Sequence, residues 1–273
     1  MAERINADAV GEIRAASTAD GGTALSTTAA FIAFPRGANY LTLTPRNFAT
    51  AVVAKFSVNP FLVVLKTTDS LAALSNLTDA SEALQDSDTG TSLSMNSFDT
   101  LANGDILYVG SHIPFRGVRI IIGSTNSTSS VLTVKYRKSD DTWADITATD
   151  GTDSGGATLA QTGNVTWTLP TDWKTASLFA AGDTTLRDGH LLNPEVYWTR
   201  WEVSAALDAT VTITGALAMN RVTTYAELAS GQSWEQTIHK GWRGIGCVEA
   251  LTDAGTANLI VNAMVLGVGG KLS

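Results

Sequence analysis

The feature that most constrains the fold is a regular series of short strand-like segments between residues 105 and 220. Each segment alternates apolar and polar residues or is rich in β-branched and aromatic residues, a pattern typical of half-buried strands. Turn-forming clusters of Gly, Ser, Asp and Thr separate the segments. This spacing predicts an antiparallel β-sandwich of the jelly-roll or immunoglobulin-like type over residues 105–220. The segments are Ile106–Val109, Val118–Ile122, Val131–Tyr136, Asn164–Leu169, Val196–Val203 and Thr210–Thr214.

Further strand-like segments flank this region on both sides. Asp253-Ala-Gly255 lies between the last two of them and predicts a β-hairpin. We expect this hairpin to pair with strands from residues 40–66. Residues 39–104 and 221–273 would then form a second, small β-rich base domain, into which the sandwich is inserted. The flanking segments are Tyr40–Thr44, Thr50–Phe56, Pro60–Leu65, Gly244–Leu251 and Asn258–Leu266.

Residues 1–38 are rich in Ala, Thr, Asp and Gly and have few large apolar side chains, so we expect an extended N-terminal arm. An arm that becomes ordered on a neighbouring subunit and a frayed terminus are both open. Two short helices are also predicted. One spans Ala7–Ala16, and the other follows Thr68-Asp69, where N-cap chemistry precedes leucines at helical spacing.

Charge and composition exclude several partner classes. The chain has 18 Lys and Arg against 26 Asp and Glu, a net charge of -8, and no basic run longer than two residues. Nucleic acid is therefore not an expected partner. Charged residues make up only 16% of the chain, which leaves a neutral, Thr- and Ser-rich surface suited to broad contacts with protein subunits. No apolar stretch reaches about 18 residues, so we expect no membrane partner.

No residue pattern predicts catalysis or a cofactor. The three histidines, His112, His190 and His239, are far apart in sequence and do not have the spacing of a metal site. Cys247 is the only cysteine, so an intrachain disulfide is excluded, and its apolar neighbours predict a buried, inert thiol. We therefore expect a protein that is not an enzyme.

Asp86 and Asp88 are weak candidates for calcium ligands. They offer two carboxylates before the turn at Gly90. The segment lacks the downstream bidentate Glu of a complete EF-hand, so a solvated turn is the default interpretation.

Four residues are candidates for a protein interface. Trp198 and Trp201 lie three residues apart on one predicted strand, so their side chains should point to opposite faces. We expect one of them to be core, and we take Trp201 as the interface candidate. Trp234 and Trp242, the latter beside Arg243, have the composition of interface hot spots, although core positions are an equal alternative.

Several short motifs in the middle of the chain resemble a β-sandwich module of tailed-phage structural proteins. The motifs are structural: a hairpin that ends in an aromatic residue, a glycine-rich turn and a closing Pro-x-x-Trp. The resemblance implies a virion setting and brings no catalytic residues. The segments that carry it are Tyr108–Gly117, Val134–Tyr136 with Trp143, Asp150–Thr152, Thr158–Gly163, Val165–Trp173 and Tyr197–Trp201.

The resemblance, the net negative charge and the Thr- and Ser-rich surface together lead to a functional expectation. We expect a capsid decoration, or cement, protein, made in the host cytoplasm and carried on the outer surface of the virion. It would be a homo-oligomer, with a trimer favoured, bound to the major capsid protein or other virion proteins. The alternative is a tail, neck or baseplate protein with host-receptor or glycan binding. A secreted carbohydrate-binding module or hydrolase is disfavoured, because an acid/base pair of carboxylates is missing.

Overall fold

The chain forms short strands along its whole described length. A computed structural model describes residues 13–14, 22–34, 39–86, 88, 90–96, 98–187, 192–219, 225–238 and 244–264. The predicted mainly β, antiparallel sandwich-type fold is confirmed. Its helical parts within those ranges are the 3-10 turns Leu74–Asn76 and Leu101–Asn103, and none of them is long and apolar enough to cross a membrane.

The strands are numbered in chain order, with the following bounds. They are β1 Ile13–Arg14, β2 Thr23–Leu25, β3 Ala30–Ala33, β4 Tyr40–Ala49, β5 Val53–Pro60, β6 Val63–Thr68, β7 Leu77–Asp79, β8 Leu93–Ser94, β9 Asp105–Ser111, β10 Gly117–Ser124, β11 Leu132–Arg137, β12 Trp143–Asp145, β13 Thr149–Asp150, β14 Gly163–Thr166, β15 Thr175–Ala176, β16 Val196–Val203, β17 Thr212–Ala218, β18 Ala226–Ala229, β19 Trp234–Thr237, β20 Ile245–Thr252 and β21 Thr256–Met264.

Two sheets form the sandwich. Sandwich sheet I has the order β13-β14-β10-β17-β8, and sandwich sheet II has the order β12-β11-β16-β9-β6-β7, with β15 also paired to β16. The main apolar core includes inward-facing residues of both sheets, such as Val118 on β10 and Val134 on β11. All six segments predicted as strands in this region contribute a strand, namely β9, β10, β11, β14, β16 and β17. Alternation of apolar and polar residues was therefore a sound guide here.

Two further sheets form a base made from both ends of the described chain. Base sheet I has the order β1-β21-β4-β19, with β2 also on β21, and base sheet II has the order β18-β5-β20-β3. The predicted pairing of the C-terminal strands with residues 40–66 is confirmed, because β21 pairs with β4 and β20 pairs with β5. Buried aliphatic residues of both sheets, including Leu43 and Val248, form the base core.

The predicted hairpin at Asp253-Ala-Gly255 is wrong in one respect. The turn exists, but β20 and β21 lie in different sheets, so the chain crosses the base there instead of folding back beside itself. Gly255 has a φ of +56°, which favours glycine. The Asp253 carboxylate accepts hydrogen bonds from the backbone N–H groups of Val52 and Val53 at 3.0 and 3.1 Å. These bonds fasten the turn to the matching crossover between β4 and β5.

The expected N-terminal arm needs correction in its second half. Within residues 22–34, β2 pairs with β21 and β3 pairs with β20. Leu25, Ile32 and Phe34 are buried in the base core, because this short stretch does carry large apolar side chains. Most of residues 1–21 lies outside the described residues.

The predicted division between base and sandwich also differs from the sheet pairing. β6, which we assigned to the base, pairs with β9 of the sandwich. The chain therefore passes from a base sheet to a sandwich sheet between Pro60 and Val63. β6 is buried because it has a neighbour on each side, β9 and β7, in sandwich sheet II, which is covered on both faces.

Neither predicted helix is present in the described residues. After Asp69, Ser70 and Leu71 have φ values of +54° and +61°, which break a right-handed helix. The Asp69 carboxylate does accept N-cap-like bonds from the N–H groups of Ala72 and Ala73, at 3.1 and 2.9 Å, but it holds a turn. Within Ala7–Ala16, the described pair Ile13–Arg14 is a strand paired with β21, and the rest of that segment lies outside the described residues.

Candidate functional site

The motif residues that carry the resemblance meet in one aromatic cluster inside the sandwich. Ring centroids of Phe115 lie 5.4 Å from those of both Trp167 and Trp173. Trp167 lies 6.4 Å from Trp201, and Trp173 lies 5.6 Å from Tyr197. Most of these contacts are edge-to-face, the arrangement that aromatic rings prefer. Segments far apart in sequence thus join to hold the sandwich closed.

The indole N–H groups of this cluster are satisfied internally. Trp167 donates to the Phe115 carbonyl at 2.9 Å, Trp173 donates to the Trp198 carbonyl at 3.1 Å, and Trp201 donates to the Thr199 hydroxyl at 2.8 Å. Polar ends of buried tryptophans need such partners. The cluster is therefore part of the buried core, with its polar groups hydrogen-bonded, and not an exposed aromatic surface.

The prediction that Trp201 lies at a protein interface is wrong. Trp198 and Trp201 do point to opposite faces of β16, as their spacing predicts, but both are buried. Trp201 is only 2% exposed and belongs to the main sandwich core. Trp198 is buried because Leu178 and Leu192 cover the outer face of sandwich sheet II. Sequence alone does not reveal this second covering layer.

A charged cluster lies beside that covering layer. The Trp143 ring lies within 5.8 Å of the Arg137 guanidinium and 5.1 Å of that of Arg200, both in cation–π range. The indole N–H of Trp143 donates to the Asp183 carboxylate at 3.0 Å. Burial raises the pKa of Asp183, although Trp143 and the two arginines oppose the shift. Arg200 also contacts the Glu202 carboxylate at 2.7 Å. These contacts tie the covering segment to the sheet.

The base contains the interface candidate Trp234. Trp234 lies on β19, an edge strand of base sheet I, and its ring packs 5.3 Å from that of Phe56. It is partly buried, while its neighbours Glu235, Gln236 and Thr237 are exposed. Because edge strands present unpaired backbone groups, this position is consistent with an interface. Trp242 and Arg243 lie outside the described residues.

The weak calcium candidates Asp86 and Asp88 stabilise local turns. The Asp86 carboxylate accepts bonds from the N–H of Asp88 at 2.9 Å and from the Thr91 hydroxyl at 3.1 Å. The Asp88 carboxylate accepts a bond from the N–H of Gly90 at 2.8 Å. Among the described residues, no group of three His, Cys, Asp or Glu is placed to hold a metal ion.

The junction between base and sandwich contains a buried polar network that the sequence did not suggest. The Asn59 amide donates to the Ala218 carbonyl of β17 at 2.7 Å and to the Glu249 carboxylate of β20 at 3.1 Å. Tyr225 also donates its hydroxyl to Glu249. Cys247 is fully buried here, as predicted, and burial raises the pKa of its thiol above the usual range. The network links the two halves through side chains.

A polar groove of about 360 Å³ opens on the sandwich close to this junction. It was missed in the sequence because its residues come from separate segments with no motif. Trp167 and Met219 contribute to its wall, and Met219 directly follows Ala218 at the junction. The other lining residues are Arg116, Thr147, Thr149, Thr166 and Thr168.

Comparison with known proteins adds no family assignment. No model of a protein family matches this chain, and no curated protein sequence matches it.

Proposed function

We propose that this chain is a non-enzymatic structural protein of a tailed-phage virion, acting as a capsid decoration (cement) protein. The observation that carries the proposal is the aromatic cluster of Phe115, Trp167, Trp173, Tyr197 and Trp201. Its members are the same residues that resemble phage sandwich modules. Because these residues pack together in the core, the fold alone explains why the motif contains them, and the proposal assigns them no chemical reaction.

The charge and exposed surface support a position on the outside of a particle. With 26 acidic and 18 basic residues, the chain carries net negative charge, which disfavours contact with packaged DNA. Every described aromatic side chain is at least partly buried, so no exposed aromatic cluster of the kind that binds receptors or sugars is present in the described sandwich. This observation favours the cement role over the tail or baseplate alternative.

The mechanism would be thermodynamic. A protein that binds the assembled shell but not its disassembled subunits stabilises the shell by mass action, with a free energy that grows with the logarithm of its concentration. Many copies on one particle multiply the effect. A surface with few charges and many Thr and Ser residues suits such contacts, because its burial avoids much of the cost of desolvating charges.

Locating the protein on particles tests the proposal directly. Gold-labelled antibody against the chain should decorate the shell of phage particles that carry it, as seen by electron microscopy. Label confined to the tail or neck would overturn the cement role and favour the alternative. Particles that lack the protein should also rupture at lower temperature, and adding the purified chain back should restore their stability in a concentration-dependent way. Absence of any restoration would contradict the mechanism.

A further inference from the structure

The groove lined by Arg116 and four threonines has the features of a binding site. Its volume, about 360 Å³, lies within the range of roughly 300–1,000 Å³ typical of small-ligand sites. It is distinct from the aromatic core, although Trp167 belongs to both. Its lining is dominated by hydroxyl groups and contains one charged side chain, Arg116.

Strand alternation and register place Thr149, Thr166 and Thr168 on the groove wall. Thr166 is the last residue of β14 and pairs with Thr149 of β13. Thr168 lies two residues after Thr166, and burial alternates along this stretch, so both side chains lie on the outer face, whereas Thr147 lines the groove from the turn before β13. Trp167, between Thr166 and Thr168, packs into the sandwich core. The neighbouring strands thus build a compact array of hydroxyls.

The backbone at Thr147 is strained. Its φ is +56°, in the left-handed region that β-branched residues rarely adopt. The Asp145 carboxylate stabilises this conformation by accepting a bond from the Thr147 N–H at 2.7 Å. Such conformations cluster at ligand-binding sites, where they aim a side chain at a required position. This turn fixes the position of Thr147 on the groove wall.

The chemistry of the lining selects a ligand class. A guanidinium offers a planar fork of donors that matches a carboxylate. Threonine hydroxyls both donate and accept, as the hydroxyls of a sugar do. No Asp or Glu is among the described lining residues, so an acidic ligand meets no like charge in the groove wall. An extended peptide would instead require an unpaired strand edge with pockets for alternate side chains.

We propose that this groove binds an acidic saccharide, with its carboxylate on Arg116 and its ring hydroxyls on Thr147, Thr149, Thr166 and Thr168. The saccharide unit would contain a uronic or sialic acid, which supplies the carboxylate. The site would add weak, multivalent attachment to the structural role. It does not depend on the position of the protein in the virion.

Binding can be tested with sialyllactose and glucuronate, and with lactose and glucose as their neutral counterparts. Titration of the full chain, followed by the NMR signals of the Met219 methyl group and the Trp167 indole N–H, should show saturable shifts with an acidic sugar and at least about tenfold weaker binding of its neutral counterpart. No shift with either acidic sugar, or equal affinity for the neutral ones, would overturn the proposal. Binding of poly-glutamate in place of the sugars would overturn the ligand class.

Two substitutions distinguish binding in the groove from a general effect of positive charge on the affinity for acidic sugars. Arg116→Gln should weaken binding of the acidic sugar at least about tenfold, because the loss of a charge-assisted bond has that magnitude. Arg119→Gln is the matched control, since Arg119 also lies on this part of the chain but bonds to Asn164 and does not line the groove. Equal losses in the two variants would contradict the assignment.

A second variant covers the case in which Arg116→Gln does not fold. The double change Thr166→Val and Thr168→Val keeps the β-branched shape and the strand preference while it removes two hydroxyls. It should bind both acidic sugars at least about threefold more weakly, with an unchanged circular dichroism spectrum. Wild-type affinity in this variant would overturn the role of the threonines.

Discussion

The sandwich and the base are both built from two antiparallel sheets, but their cores differ. The sandwich core contains Trp167, Trp173 and Trp201, whereas the base core is largely aliphatic, with Leu41 and Leu43 among its fully buried residues. The sandwich thus depends on a few large aromatic contacts. The base depends on many small contacts between strands from opposite ends of the chain.

The sequence separation between paired strands also differs between the base and the sandwich. In the base, β4 pairs with β21 and β5 with β20, so partners are separated by most of the chain. In the sandwich, β10 pairs with β14 and β11 with β16, which are closer in sequence. Pairing across a long separation requires the closure of a longer loop. We therefore expect the sandwich to form first and the base to complete the fold.

The largest effect should come from Trp201→Ala. Removing a buried aromatic side chain costs about 3–5 kcal/mol, because the cavity left behind cannot fully collapse. Native-state hydrogen exchange should show lost protection in β9, β11 and β16 of sandwich sheet II. If the halves are separable, β4 and β21 of the base should retain their protection.

The reciprocal control is Leu43→Ala, in the base core. It should cost about 2–5 kcal/mol and reduce protection in β4 and β21 first. Equal loss of protection in both halves for both variants would break the comparison and show that the chain unfolds as one cooperative unit.

An intermediate effect is expected at the junction. Asn59→Ala removes the amide that bonds both the Ala218 carbonyl and the Glu249 carboxylate. A buried group left without its donor costs about 1–3 kcal/mol. Calorimetry should show the unfolding of base and sandwich separating into two transitions. Ser57→Ala, which removes a hydroxyl that donates to Asn59 at 2.7 Å, should have a smaller effect. A single unchanged transition in Asn59→Ala would argue against coupling through this network.

The strands of this protein could be predicted well, and their arrangement only in part. The alternation of apolar and polar residues in Val118–Ile122 and Val196–Val203 depends only on neighbouring residues, so both segments form the predicted strands. The Asp253-Ala-Gly255 turn was also visible, but whether a turn returns to the same sheet or crosses to the other depends on tertiary packing. The helix expected after Asp69 failed because left-handed residues at Ser70 and Leu71 have no clear sequence pattern.

The candidate site was harder to predict than the fold. Odd spacing correctly placed Trp198 and Trp201 on opposite faces, but the covering residues Leu178 and Leu192 carry no pattern that links them to Trp198. The groove combines Arg116 with threonines of two separate segments. Threonine is so common in this chain that no single position stands out.

A smaller change in stability is expected from Asp183, in the charged cluster on sandwich sheet II. Burial raises the pKa of Asp183 in the folded protein, so its charged form is disfavoured there. Its contribution to stability is full below the ordinary Asp pKa and is lost as pH rises through the folded pKa. Asp183→Asn keeps an acceptor for Trp143 and should raise the melting temperature at pH 7 but not at pH 3. An equal change at both pH values would show that charge is not the cause, and exposed Asp153→Asn serves as the control.

The smallest effect on stability is expected from two aspartates, each of which fastens a turn in one half of the molecule. In the sandwich, hydrogen bonds from the hydroxyls of Ser127 and Thr128 and the Ser127 N–H lower the pKa of Asp208 to about 2. In the base, the N–H groups of Val53 and Val52 lower the pKa of Asp253. A depressed folded pKa gives stability that is present above the unfolded value and lost as pH falls through the folded value.

Both turns should therefore weaken in acid, from roughly pH 4 downward. Asp208→Asn and Asp253→Asn should each flatten the dependence of melting temperature on pH in that range. NMR titration should place the Asp208 carboxyl pKa near the lower end of the range. Asp253 is exposed and Asp208 is only partly buried, so the changes will be small. If only Asp208→Asn flattens the curve, acid weakens the sandwich turn alone, and the base must be held at its crossover by the strand pairing of β4 with β21 and not by the charge of Asp253.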